Sequence, residues 1–162
     1  MAFSGADFAN PDKFITYREQ IWICLENMID TDELKTVHQV WAELEYNDPD
    51  SCKRLAPRRD HFIIPTDHDT DIFIINIISK YPKLVDHRLH YTREPADPYL
   101  VAYAKKWNVP IISDEKPLQQ RIGKRKSRHI TIPDVCQLET DMTCMLLEEF
   151  LKSKEVIPSS FK

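Results

Sequence analysis

The sequence predicts an α/β fold with three layers, α/β/α, in which the middle layer is a mostly parallel sheet. Helical apolar stripes alternate with short β-branched runs, and helices that alternate with buried strands are typical of parallel sheets. The composition is 42% hydrophobic and 30% charged, as in packed globular proteins. With 162 residues the chain is expected to form one domain over 1–162, because two separate cores would each be marginal at this length.

Apolar side chains recur every three or four positions in two segments of the N-terminal half. They predict helices over 14–29 and 37–46, the second with Thr36 as its N-cap. Residues 47–59 are polar and contain proline, which indicates a loop or a short irregular helix, and 62–64 is a candidate strand. A further helix is predicted to open at Thr70 or Asp71 and to end before Pro82, since the residue before proline disfavours helical geometry.

The C-terminal half repeats the alternation. Asp97 and Pro98 are expected to start a helix that runs to Trp107, with Asp97 as N-cap and Pro98 in the first turn. Further along, the sequence predicts strands over 109–112 and 129–132 and helices over 133–138 and 143–154.

Composition excludes several classes of protein. The longest apolar run, 72–78, is far shorter than the ~20 residues of a membrane helix, and 1–11 lacks the features of a secretory signal, so we expect a cytoplasmic protein without membrane contact. Only two glycines occur, which excludes glycine-rich phosphate loops and dinucleotide fingerprints. The four cysteines form no CxxC pair and are expected to be reduced core residues.

The formal net charge of −4 argues against a protein that coats nucleic acid by charge alone. One cluster of basic residues nevertheless surrounds Gly123, and it consists of Arg121, Lys124, Arg125, Lys126 and Arg128. Such a cluster is typical either of a phosphate contact or of a solvated loop that keeps the protein soluble.

Acidic residues fall where ligand sites form in α/β folds, at the carboxyl ends of strands. Ser113, Asp114 and Glu115 follow the predicted strand 109–112 directly, Asp97 opens the helix before it, and Glu43 lies beside an apolar helix face. Converging carboxylates bind hard divalent cations such as Mg²⁺ or Mn²⁺. Taken singly, the same residues are more typical of a helix cap (Asp97), a polar turn (Asp114 and Glu115) and a solvated helix surface (Glu43).

Two segments, Asp97-Pro98-Tyr99-Leu100-Val101-Ala102-Tyr103-Ala104 and Val109-Pro110-Ile111-Ile112-Ser113-Asp114-Glu115-Lys116, resemble the third and fourth acidic motifs of PIN-like domains. Val40-Trp41-Ala42-Glu43-Leu44 looks like the second motif. The later Ile132-Pro133-Asp134-Val135-Cys136 is similar to an uncharacterised bacterial PIN-like family often placed among toxin–antitoxin ribonucleases.

This resemblance implies a ribonuclease that uses Mg²⁺ or Mn²⁺. It implies Glu43, Asp97 and Glu115 as catalytic metal ligands, with Asp114 or Asp7 completing the shell. Ser113 would orient a carboxylate or water, and the basic cluster would guide the RNA backbone. An antitoxin or other protein partner and a homodimer are implied in the same way.

The first acidic motif departs from the family pattern. The corresponding stretch, 1–8, has little β-branched character, and Asp7 is the candidate for its acid. The strand is therefore either degenerate, or rearranged or lost. This departure favours an alternative, a PIN-like binding or regulatory module with impaired catalysis.

A histidine-based site is a weaker hypothesis. His68-Asp69 is the single HD dipeptide that would suggest a metal-dependent phosphohydrolase. The acids that follow it are better interpreted as the N-terminus of a helix, where negative charge is favourable.

Overall fold

The computed structural model describes residues 2–3, 15–65, 67–85, 94–117 and 130–161. The helices in these ranges are α1 (Arg18–Asp30), α2 (His38–Asn47), α3 (Pro49–Leu55), α4 (Arg59–Phe62), α5 (His68–Lys80), α6 (Asp97–Trp107), α7 (Ile132–Leu138) and α8 (Leu147–Ser153). The strands are β1 (Ala2–Phe3), β2 (Ile111–Ile112) and β3 (Cys144–Met145). None of the described helices is both long enough and apolar enough to cross a lipid bilayer.

The three strands form one parallel sheet in the order β1-β2-β3. Ile111 pairs with Ala2 on one side and with Cys144 on the other. The predicted mixed α/β fold with a parallel sheet is thus confirmed, although each strand is only two residues long. β1 (Ala2–Phe3) lies in the stretch 1–8, for which little β-branched character was noted in the sequence.

Two apolar cores meet at β2. Ile111 packs into a core built mainly from α5, α6 and α7, whereas Ile112 packs into a second core built mainly from α1, α3 and α8. Successive residues of a strand point to opposite faces, so two adjacent isoleucines serve two different cores. Both side chains are fully buried, which places the end of β2 in the centre of the molecule.

The predicted periodic helices agree with the structure. The stripe of α1 buries Ile21, Leu25 and Met28, and α6 has the predicted bounds. Phe14, the predicted first residue of the α1 segment, lies outside the described residues. The stretch 47–59 contains α3, which Pro49 starts with Asp48 as its N-cap.

Thr36 was predicted to be the N-cap of α2, and this prediction was wrong. That position is taken by Val37, whose side chain offers no cap. The Thr36 backbone pairs instead with the segment after α4: its N–H donates to Phe62 O and its carbonyl accepts from Ile64 N, both at 2.8 Å. Of the strand predicted over 62–64, only this single parallel bridge to Ile63 forms, because Phe62 ends α4.

Two further predictions in the C-terminal half were wrong. Residues 130–132 form no strand, because Thr131 lies at the N-terminus of α7, where its N–H donates to Asp134 Oδ2 at 2.9 Å. The last helix does not begin at Thr143. Cys144 and Met145 form β3 first, and α8 starts at Leu147.

The N-terminus of α5 confirms the interpretation of His68-Asp69 as a helix start. Asp67 is the N-cap, and its Oδ1 accepts a hydrogen bond from Thr70 N at 2.7 Å. Lys106 of α6 donates to the same carboxylate at 2.7 Å, which joins α5 to α6. The helix therefore begins slightly earlier than predicted, and Asp69 lies exposed in its first turn.

A buried carboxylate joins α7 to two other helices. Glu139 follows α7 and accepts hydrogen bonds from Lys80 Nζ at 2.6 Å, Lys105 Nζ at 2.5 Å and the hydroxyl of Tyr81 at 2.5 Å. These donors lower its pKa to about 2, with Lys105 contributing most.

Candidate functional site

The pKa of one carboxyl at the start of α6 depends on two other acids from separate parts of the chain. Asp97 is the first residue of α6, Glu43 lies in α2, and Glu115 follows β2 by three positions. The pKa of Asp97 is raised to about 8, first because the group is removed from water and then because the charges of Glu115 and Glu43 oppose its ionisation. Asp97 thus lies within electrostatic range of the other two acids that the sequence singled out.

α6 fixes the position of Asp97. Residues 100–104 of this helix are at most 1% exposed, so the helix is enclosed by the core on nearly every side. Its N-cap is Ala96, not Asp97 as predicted, and the Ala96 carbonyl accepts the first helical hydrogen bond from Leu100 N at 3.0 Å. The side chain of Asp97 is thus not the cap of its own helix.

Glu115 is held from two directions. Its Oε2 accepts a hydrogen bond from the backbone N–H of Ile132 at 3.0 Å, and its own N–H donates to Ser113 Oγ at 3.2 Å. Ser113 is itself buried, and its N–H donates to Met145 O at 3.0 Å as the ladder with β3 continues. In this structure Ser113 positions the backbone of Glu115.

Glu43 lies at the border of the buried face of α2. Its neighbours Val40 and Leu44 are buried, whereas Glu43 is half-buried, and its charge contributes to the raised pKa of Asp97. One turn earlier on the same face, Gln39 Nε2 donates to Glu94 Oε2 at 3.2 Å. This contact joins α2 to the segment that leads into α6.

Asp114 faces a different element. Its Oδ1 accepts a hydrogen bond from Leu147 N at 3.2 Å. Its pKa is raised, first by burial, and the neighbouring carboxylate of Glu148 adds to this while Leu147 N and Lys116 oppose it. Asp114 therefore lies against the start of α8, next to Glu148, and not with the three acids.

Glu148 was not among the site residues predicted from the sequence. An acid shortly after a strand would have been the signal, but β3 was assigned to a helix. Recognising Cys144 and Met145 as a parallel strand would have drawn attention to the first turn of α8.

The donor chemistry of Glu43, Asp97 and Glu115 suits a hard divalent cation, since all three offer carboxylate oxygens. Within the described ranges, no group of three His, Cys, Asp or Glu side chains is placed closely enough to hold a metal ion. Asp7 and the basic cluster (Arg121, Lys124, Arg125, Lys126 and Arg128) lie outside the described residues.

A family model described as "Domain of unknown function (DUF4411)" matches residues 12–157. The chain belongs to the DUF4411 family. The matched region contains Glu43, Asp97 and Glu115, whereas β1 and Asp7 precede it. No curated protein and no solved structure matches the DUF4411 chain.

Proposed function

We propose that this DUF4411 protein is a metal-dependent ribonuclease with a three-layer, PIN-like α/β/α fold. The observation that carries the proposal is the raised pKa of Asp97 in α6, whose ionisation is opposed by Glu115 at the end of β2 and by Glu43 in α2. Structural carboxylates are usually paired with cations, as Glu139 is with two lysines. A carboxyl whose ionisation is opposed by two further carboxylates is instead typical of a cation site.

A divalent cation removes the electrostatic cost of this arrangement. At neutral pH the raised pKa keeps Asp97 largely protonated, and a bound Mg²⁺ or Mn²⁺ would favour the charged form. Glu43, Asp97 and Glu115 would hold the ion through their oxygens. When bound, the ion supplies the activation of water and the stabilisation of developing negative charge that cleavage of a phosphodiester needs.

RNA is the proposed substrate on the basis of the resemblance to PIN-like domains. Lys116 is exposed and follows Glu115 directly, so it is placed to contact a phosphate beside the three acids. The basic cluster at 121–128 is proposed to guide the backbone further along. Contacts to phosphates position the strand without reading its sequence.

The toxin role and the partners follow from the same resemblance. We propose an antitoxin that pairs with this chain, and a homodimer, both as properties that PIN-like toxins commonly have. Size-exclusion chromatography with light scattering tests the antitoxin and the homodimer. It is run on the chain alone and on the chain coexpressed with the product of the neighbouring reading frame.

Cleavage of labelled RNA with Mn²⁺ or Mg²⁺ tests the function most directly. We expect Asp97→Asn and Glu43→Gln each to lower the rate by about 100-fold or more, because each removes a charged ligand. Asp60→Asn, at an exposed position of α4, is the matched control and should cleave at the wild-type rate. Equal rates in the wild type and both site variants would refute the proposal.

The position of Asp114 favours a second candidate, a PIN-like binding or regulatory module. The carboxylate expected to complete the metal shell is directed to α8, and no described residue replaces it in a ready-made metal site. On this hypothesis the wild type binds RNA or a protein partner but cleaves nothing with either cation. Anisotropy of labelled RNA, measured beside the cleavage assay, separates the two functions.

A further inference from the structure

A cavity of about 470 Å³ opens beside Glu115, on the side of α7 and β3. Its described lining is mixed, with charged Lys116 and Glu149, the amide of Gln137 and apolar Met142. Two of the four cysteines, Cys136 from α7 and Cys144 from β3, also line it. Small molecules that enter the cavity can therefore reach these two thiols, although both also pack in the first apolar core.

The two thiols lie on neighbouring elements, since α7 packs against β3. Cys144 lowers the pKa of Cys136, although burial opposes the change. Cys136 in turn raises the pKa of Cys144, and burial adds to it. One sulfur of the pair thus has more thiolate character than the other.

We propose that Cys136 and Cys144 are a redox-active pair that closes to an intramolecular disulfide when a hydroperoxide enters this cavity. The inference rests on the packing of α7 against β3 and on the mixed cavity that the two thiols share. It is independent of the ribonuclease proposal.

The chemistry balances in two steps. The Cys136 thiolate attacks the peroxide, the O–O bond breaks, and Cys136 becomes a sulfenic acid while the other oxygen leaves as water after taking up a proton. The Cys144 thiol then attacks the sulfenic sulfur, an S–S bond forms, and the second water leaves. Together the two thiols lose two protons and two electrons, and these reduce hydrogen peroxide to two waters.

The other two cysteines provide matched controls. Cys24 lies half-buried on α1, and Cys52 is buried on α3, both at the second apolar core. Neither lines the cavity. They report how thiols of the same protein react without a neighbouring sulfur.

The experiment treats the folded full-length chain with one equivalent of hydrogen peroxide and then alkylates the remaining thiols in denaturant. We expect two of the four thiols to be protected, with recovery of all four after dithiothreitol. Trypsin leaves both cysteines in the peptide 129–152, which has no internal lysine or arginine, so a glutamate-specific protease must cut at Glu139 to show the link by mass. Cys136→Ser and Cys144→Ser should each abolish the disulfide, whereas Cys24→Ser and Cys52→Ser should retain it.

Three results would overturn the proposal. The first is full alkylation of all four thiols after peroxide. The second is a disulfide that includes Cys24, Cys52 or a second chain. The third is oxidation of Cys136 to the sulfinic acid with no link to Cys144. The wild-type protein gives each of these answers by itself, so the test does not depend on the folding of any variant.

Discussion

The backbone N–H of Ile132 donates a hydrogen bond to Oε2 of Glu115 at 3.0 Å, which ties a carboxylate at the end of β2 to the first turn of α7. That turn is itself fixed, because Thr131 N–H and hydroxyl both donate to Asp134 Oδ2, at 2.9 and 2.5 Å. The orientation of Glu115 therefore depends on residues that carry no part of the proposed chemistry.

The stability of the wild type should fall as the pH rises from about 4 through about 8. Asp97 has a pKa of about 8 in the folded protein against about 3.9 in the unfolded chain, so the folded state holds the extra proton across this interval. The stabilisation from this protonated Asp97 is fully present below about pH 4 and is lost as the pH rises through the folded pKa of about 8. Asp97→Asn removes this dependence.

Urea unfolding at pH 5 and pH 9 without divalent cations measures this difference. We expect the stability advantage of Asp97→Asn over the wild type to be larger at pH 9 than at pH 5 by about 4 kcal/mol, as pKa values of about 8 and about 3.9 imply. Asp60→Asn should follow the wild type at both values. A wild-type profile as flat as that of Asp97→Asn would show that the three carboxylates do not interact.

Binding of Mn²⁺ at pH 7 should release close to one proton. A group with a pKa of about 8 is mostly protonated at this pH and must ionise to bind the metal. Titration calorimetry in buffers with different ionisation enthalpies gives the number directly. The release should approach zero at pH 10, and a buffer-independent heat at pH 7 would contradict the prediction.

Asp114→Ala should act on stability more than on cation binding. The variant loses the acceptor for Leu147 N at the start of α8, which we expect to cost about 1 kcal/mol, as the loss of a helix cap does. Mn²⁺ should still raise the melting temperature of Asp114→Ala, in contrast to Asp97→Asn. If the cation response vanishes in Asp114→Ala as well, Asp114 is a ligand despite its contact with α8.

Glu139→Gln should lower stability at neutral pH by about 2 kcal/mol, since it leaves Lys80 and Lys105 without their buried counter-charge. The folded pKa of Glu139 is depressed to about 2, so its contribution is present above the unfolded value and is lost as the pH falls toward 2. Chemical unfolding at pH 7 and pH 3 should show the gap between wild type and variant narrowing. Asp141→Asn, at an exposed position near Lys105, is the control.

Helices were predictable from the sequence where they are long and amphipathic. α1, α5 and α6 repeat their apolar spacing over three turns, so the pattern identifies them. Strands of two residues have no period to detect. β3 was missed because Met145 and Leu146 fit the helical spacing of the residues that follow.

The candidate site was predictable as a set of residues but not as an arrangement. Glu43, Asp97 and Glu115 were identified by motif order, and only packing decides that the other two acids affect the ionisation of Asp97. Asp114 shows why sequence proximity misleads. Neighbours in an extended segment point in opposite directions, so Asp114 meets α8 while Glu115 meets α7.

The shortness of the strands bears on how the molecule opens locally. A two-residue strand contributes few ladder hydrogen bonds, whereas residues 100–104 of α6 are enclosed on nearly every side. The slowest amide hydrogen exchange among the described residues should therefore occur in the middle of α6, and the sheet should exchange faster. Asp97 would then be attached to the most persistent element of the protein, and Glu115 to one that opens more often.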